Sequence, residues 1–110
     1  MGYLFEGVEH PTDEEGYLLE PEYSDAAPPV IAQAEGIALT EAHWEVIRFM
    51  RDKHREDGQT PNFRGMLKAF ADEVRPGTDS KYLYDLFPGG PAKQAAKLAG
   101  LPKPYGKGGY

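Results

Sequence analysis

Three histidines, two serines and eighteen carboxylates are the side chains of this 110-residue chain that could relay a proton or attack an electrophile, and no cysteine accompanies them. A metal or acid–base centre needs a histidine converging with carboxylates. His43 and Glu45 are two residues apart, and on a helix that spacing turns them away from one another. His43 instead shares a face with Ile47, which predicts a half-buried structural histidine. His54 falls with Lys53 and Arg55 at a predicted helix end, and His10 stands alone among turn residues. Asp13, Glu14 and Glu15 form a run inside a turn-rich stretch and read as a solvated loop. Ser24 and Ser80 have no histidine near them in sequence and no strand–turn–helix elbow around them. Gly106-Lys107-Gly108-Gly109 lies near the end of the chain rather than between a strand and a helix, so it is not a phosphate loop. With no thiol, disulfides, thiolate metal sites and cysteine catalysis are excluded. These residues predict a protein that is not an enzyme, with no metal and no cofactor.

The elements that carry these residues are mostly helical. Tyr3, Phe5 and Val8 open a hairpin, the turn-rich stretch 11–16 follows, and Tyr17-Leu18-Leu19 returns. Asp25 is placed to cap a short helix that tolerates Pro28 and Pro29 in its first turn and ends at Gly36. Thr40 caps a helix over 41–56, with Trp44, Ile47, Met50 and His54 at helical spacing and Gly58 as its stop. Thr60-Pro61 reads as N-cap and first helical position of a third helix whose buried face is Phe63, Met66, Leu67, Phe70, Ala71 and Val74. Pro76-Gly77 breaks the chain before a shorter helix over 79–87. Pro88-Gly89-Gly90 reads as a hinge. Pro91 opens a fifth helix that ends at Gly100, and Pro102 and Pro104 keep the chain extended beyond it. The expected fold class is mainly α with a small N-terminal β-hairpin (α+β), an orthogonal helical bundle with a helix-turn-helix-like pair and a flexible C-terminal arm. It forms one domain over 1–110, divided into a hairpin region (1–22), a helical body (23–88) and an arm (89–110).

Charge is distributed unevenly along this order. Residues 1–47 hold eleven acids and no lysine or arginine, residues 48–88 hold eight basic and seven acidic side chains, and residues 89–110 hold Lys93, Lys97, Lys103 and Lys107 with no acid. An acidic front and a basic tail attract each other or attract partners of opposite sign.

Several stretches together resemble the DsrC/TusE/DsvC family, the dissimilatory sulfite reductase gamma subunits and sulfur-relay proteins. They are Leu4-Phe5-Glu6-Gly7, the turn from Thr12-Asp13 to Gly16-Tyr17-Leu18, Glu35-Gly36-Ile37-Ala38-Leu39-Thr40, His43-Trp44-Glu45-Val46-Ile47-Arg48-Phe49, Tyr82-Leu83-Tyr84-Asp85-Leu86-Phe87-Pro88, and the tail from Gly89-Gly90-Pro91 onward. The resemblance implies a small helical domain with a hairpin and a C-terminal arm that carries sulfur on cysteine. Laid on this chain, the family's upstream cysteine position falls at Ala96 and its near-terminal one at Lys107. Members of the TusE type keep only the near-terminal cysteine, so alanine at 96 alone is compatible with sulfur relay, whereas lysine at 107 is not.

The resulting expectation is a cysteine-less relative that binds or regulates a protein partner of a sulfur-relay or sulfite reductase system. Lys93, Lys97, Lys103, Lys107, Tyr105 and Tyr110 would form its partner-binding arm. One alternative is a true sulfur carrier whose cysteines have been replaced. The other is a DNA-binding regulator that uses Arg64, Lys68, Arg75 and Lys81 as a nucleic-acid face, although Asp72, Glu73, Asp79 and Asp85 interrupt that face and the molecule is acidic. No apolar run approaches a membrane span and no leader is evident, so the expected setting is cytoplasmic, as a monomer or weak dimer.

Overall fold

Glu6 and Gly7 both take positive φ, 53° and 75°, the combination a two-residue type I′ turn requires. The chain therefore reverses there. In the computed structural model, which describes residues 2–104, β1 (Gly2–Phe5) pairs antiparallel with β2 (Val8–Pro11), Tyr3 opposite His10 and Phe5 opposite Val8. This corrects the expected hairpin, which placed its turn at 11–16. That stretch is a second turn. Asp13 Oδ1 accepts from the amides of Glu15 (2.9 Å) and Tyr17 (3.0 Å), and Leu18 is set beside Thr12 in an isolated bridge. An aspartate that bonds its own backbone two residues on is a standard turn former.

The helices follow the predicted order with corrections at their starts. Helix α1 (Ala27–Glu35) carries Pro28 and Pro29 in its first turn and ends at Gly36 with φ 74°. Asp25 does not cap it. Ser24 Oγ accepts from the Ala26 amide at 3.1 Å, while Asp25 pairs with Arg51. Helix α2 (Glu41–Asp57) starts at Thr40 and stops at Gly58, as its cap and stop residues predict. Helix α3 (Phe63–Glu73) is capped by Asn62, whose Oδ1 accepts from the Gly65 amide at 2.9 Å, and not by Thr60. Val74, expected on the buried face, lies beyond the last turn and is 38 % exposed. Helix α4 (Ser80–Leu86) is capped by Asp79, which accepts from the Tyr82 amide.

Helix α5 (Pro91–Ala99) departs furthest from the sequence reading. It packs against α1, α2, α3 and α4, and buries Pro91, Ala92, Ala95, Ala96, Leu98 and Ala99. Its alanines let the neighbouring helices approach closely. The large core side chains Ile31, Ile47, Met50, Phe70 and Leu83 belong to those neighbours. The segment expected to swing from Gly89–Gly90 is thus the centre of the bundle, and Gly90 itself is buried. Helices α3 and α4 each pack on α5 and meet through Phe63 and Tyr84, whose ring centres are 5.5 Å apart, which is ordinary helix packing and gives the helix-turn-helix reading no support. Among the described residues no helix is long and apolar enough to cross a membrane.

Candidate functional site

The chain leaves the bundle at the C-terminal end of α5, and this exit is where the fold concentrates its polar contacts. Arg51 lies on the apolar stripe of α2 one turn after Ile47 and is 5 % exposed. Its Nε donates to the Ala99 carbonyl (3.1 Å), one terminal nitrogen to Asp25 (2.7 Å) and the other to the Ser24 carbonyl (2.9 Å). A buried guanidinium needs this full set of acceptors. The Glu22 amide donates to the Gly100 carbonyl at 2.8 Å. Thr60, buried at 4 % exposure, donates its hydroxyl to the Pro102 carbonyl at 2.9 Å. Lys103 bridges both carboxylate oxygens of Glu15 at 2.8 and 3.0 Å. Leu101 and Pro104 are buried between these ties.

A second network joins the other end of α5 to α1 and to the loop before it. Gln94 accepts from the Gly89 amide (2.8 Å) and donates to Glu35 (3.2 Å), and Lys97 pairs with the other Glu35 oxygen at 3.3 Å. Lys97 Nζ also sits 5.2 Å from the centre of the Tyr17 ring, and the Tyr17 hydroxyl donates to the Lys93 carbonyl. Burial is the first cause that raises the pKa of Tyr17, with Glu15, Asp13 and Glu35 adding to it. Tyr3 is raised by burial first, then by Glu35 and Asp13.

The residues predicted for a binding arm are therefore placed unequally. Lys97 and Lys103 are paired with Glu35 and Glu15, so the acidic front and basic tail do meet within one molecule. Lys93 is half-buried and contributes its carbonyl. Ala96, the upstream position, is fully buried in α5. Tyr105, Lys107 and Tyr110 lie outside the described residues. On the predicted nucleic-acid face, Lys81 is held by Asp85 at 2.9 Å, and this bond is the first cause of its raised pKa. Arg75 lies over the Tyr82 ring at 5.2 Å. Arg64 and Lys68 are exposed on α3.

No reactive constellation assembles from the remaining groups. His43 accepts from the Thr40 amide at Nδ1 (3.1 Å) and donates from Nε2 to the Leu86 carbonyl (2.8 Å), which joins the start of α2 to the end of α4. His54 meets the Tyr23 hydroxyl, and His10 stacks on Phe5 with ring centres 3.7 Å apart. Ser24 Oγ donates to Glu6 and has no histidine beside it. Among the described residues no three His, Cys, Asp or Glu side chains gather to hold a metal. A shallow groove of about 460 Å³ between α2 and α3 has Phe49 and Val74 in its lining, and Lys53 within it is matched by Glu73 and Glu56. Sequence reasoning missed Arg51, Thr60, Glu15 and Glu22. For Arg51 a signal existed, since a basic residue on the apolar stripe of an amphipathic helix must find buried acceptors. The other three act through single contacts distant in sequence, which no local pattern reports.

Comparison with known proteins places this architecture. The family model described as "DsrC like protein" matches residues 4–107. The sulfurtransferase TusE of Pectobacterium atrosepticum is 52 % identical over 102 residues, covering 91 % of this chain and 94 % of that protein. TusE of Escherichia coli K12 is 52 % identical over 103 residues, covering 92 % and 94 %. The solution structure of Allochromatium vinosum DsrC superposes with a TM-score of 0.84 at 42 % identity, over 92 % of each chain. The oxidised gamma subunit of the dissimilatory sulfite reductase from Archaeoglobus fulgidus does so at 0.81 and 37 %, over 94 % of this chain and 96 % of that one. With the helical order, the hairpin and the sequence in agreement, the chain belongs to the DsrC-like family of sulfur-relay proteins.

Proposed function

We propose that this chain is a thiol-free member of the sulfur-relay family, one that binds a protein partner of a sulfur-relay or sulfite reductase system and blocks or tunes it without carrying sulfur. The observation that carries this reading is the absence of cysteine from a chain otherwise about half identical to sulfurtransferase relatives. Position 107 holds lysine and position 96 a core alanine. Sulfur transfer requires a thiolate that attacks the outer sulfur of a donor persulfide while the donor cysteine leaves as thiolate. No side chain here can do that. The body that would dock is retained, and the tail's Tyr105, Lys107 and Tyr110 would occupy the space a reactive tail enters, with aromatic side chains as anchors.

Two experiments test it. The full chain and a version ending at Pro104 are titrated against the catalytic subunits of a dissimilatory sulfite reductase. Binding by the full chain that weakens at least about tenfold on truncation, or about 1.4 kcal/mol, supports a docking tail. No binding by the full chain removes this partner class. Truncation after Pro88 is unsuitable, because it deletes α5 and its six buried residues. Separately, Lys107→Cys incubated with a persulfide-bearing sulfurtransferase is expected to gain one sulfur by mass spectrometry while the parent gains none. Sulfur uptake by the parent would end the non-carrier reading.

A further inference from the structure

An antiparallel sheet with one wet face ordinarily sets apolar side chains toward the core and polar ones toward water. The N-terminal sheet keeps the first half of that rule and breaks the second. Tyr3 and Phe5 of β1 pack on the core, while Leu4 between them points the other way and is 66 % exposed. The register carries this outer face across the sheet. Leu4 stands opposite Glu9, and Gly2 opposite Pro11. Residues directly opposite share a face, as do residues two apart on one strand. The chain that returns after the second turn adds another row. Leu18 bridges to Thr12 and is buried, and the Leu19 amide donates to the Pro11 carbonyl at 3.0 Å. Leu19 therefore lies on the outer side, beside Pro11, and is 59 % exposed.

Leu4, Pro11 and Leu19 thus form an apolar strip across the outside of the sheet, and Val8 at its turn end is 57 % exposed. The other large apolar side chains exposed among the described residues, Val74 and Tyr84, are less so, at 38 % and 40 %, and sit elsewhere on the molecule. Apolar groups gathered on one face and left wet mark an interaction surface, whereas single scattered ones do not.

The acids around the strip select its occupant. Glu9 lies within it and Glu20 follows Leu19. Both are exposed, and among the described residues neither is paired with a cation. Residues 1–47 contain no lysine or arginine to neutralise them. Lys97 and Lys103, which do reach this end of the molecule, are already paired with Glu35 and Glu15. A second copy of the same face would set Glu9 and Glu20 against their own counterparts, and juxtaposed like charges suppress such a pairing. We infer that the outer face of the N-terminal sheet, Leu4, Pro11 and Leu19 with Glu9 and Glu20 beside them, docks a protein segment whose apolar side chains are flanked by lysine or arginine. The strip supplies the desolvated contact and the two acids set the sign of the partner. This surface is separate from the C-terminal tail and involves no sulfur chemistry, so it does not depend on the function proposed above.

The probe is a fluorescein-labelled alternating leucine–lysine octapeptide, titrated against the full chain by anisotropy. Amide shifts of the isotope-labelled chain are followed in parallel. Saturable binding is expected, with shift changes centred on Leu4, Glu9 and Leu19. Leu4→Ser with Leu19→Ser should weaken it at least about fivefold through lost apolar contact. Both sites are exposed, so the thermal midpoint should stay near that of the parent. Glu9→Lys should also weaken binding at least about fivefold at low salt, whereas Asp72→Lys, the same change of charge on α3, should alter it less than about twofold. A leucine–glutamate octapeptide should not bind. Absence of saturable binding by the leucine–lysine peptide, or affinities unchanged in the Leu4→Ser, Leu19→Ser and Glu9→Lys variants, would overturn the inference. Equal binding of the leucine–glutamate peptide would overturn the choice of a basic partner. A dimer of the full chain by sedimentation equilibrium that is lost in Leu4→Ser with Leu19→Ser would overturn it too, because a second copy would then be the occupant.

Discussion

Tyr17 shows how one side chain does two jobs at this interface. Its ring is 2 % exposed in the core, and its hydroxyl donates to the Lys93 carbonyl at 3.2 Å. Burial first, and then the carboxylates of Glu15, Asp13 and Glu35, push its pKa well above the ordinary value of 10.0. The folded state therefore holds the phenolic proton more tightly than the unfolded chain does. Above about pH 10 the unfolded chain ionises and gains stability that the folded form does not. The tyrosine's contribution is complete below that pH and is lost as pH rises toward the folded value, and Tyr3 acts in the same direction. The urea midpoint should hold steady to about pH 10 and then fall. Tyr17→Phe should cost about 1 kcal/mol at neutral pH through the lost hydrogen bond and should flatten the alkaline fall. If that variant falls as steeply as the parent, ionisation elsewhere drives alkaline unfolding. At this scale the sequence is least informative. Asp25 and Thr60 both carry good capping side chains, yet each is drawn away by a group distant in the chain, Arg51 and the Pro102 carbonyl.

Helix α5 is the element on which the others depend. Its start at Pro91 and stop at Gly100 are written locally, as are the limits of α2, and for that reason they are legible in the sequence. Its depth is not. Set after Pro88-Gly89-Gly90 and carrying lysines at 93 and 97, it reads as part of a swinging arm, because the glycines suggest a hinge and the lysines suggest solvent. The partners settle the matter. Four helices supply most of the large side chains and α5, Pro91 and Leu98 apart, supplies alanines, while Lys97 satisfies its charge on Glu35. Ala96 has no accessible surface. Ala96→Leu should therefore destabilise by about 1–3 kcal/mol through overpacking, read as a lowered urea midpoint with an unchanged slope. A neutral result would mean that the core around α5 relaxes more freely than its packing indicates. Deleting the helix altogether should leave no cooperative transition.

Across the whole molecule, the described residues up to 22 contain no helix and hold to the body through Phe5, Tyr17 and Leu18 and through contacts with the last described residues. Two kinds of contact join front to tail there, and their magnitudes differ. The Lys103–Glu15 bridge is 44 % and 54 % exposed on its two sides, and bridges of that kind contribute about 0–1 kcal/mol and weaken with salt. The uneven charge read from the sequence thus identifies which segments meet, but it does not supply most of the energy that joins them. The backbone contact at Gly100 supplies more. Its left-handed φ of 81° suits glycine, and the Glu22 carbonyl lies where a Cβ would stand. Its carbonyl also takes the Glu22 amide at 2.8 Å. A side chain at 100 must both adopt a conformation that costs about 1–3 kcal/mol in non-glycine residues and push the two strands of chain apart. Gly100→Ala should therefore lower stability by at least about 1 kcal/mol at every salt concentration. Lys103→Ala should cost less than about 1 kcal/mol, and that cost should vanish near 1 M salt. Chemical denaturation of both variants at low and high salt decides the ranking. A larger loss for Lys103→Ala would mean that charge, rather than this backbone contact, closes the two ends of the chain on each other.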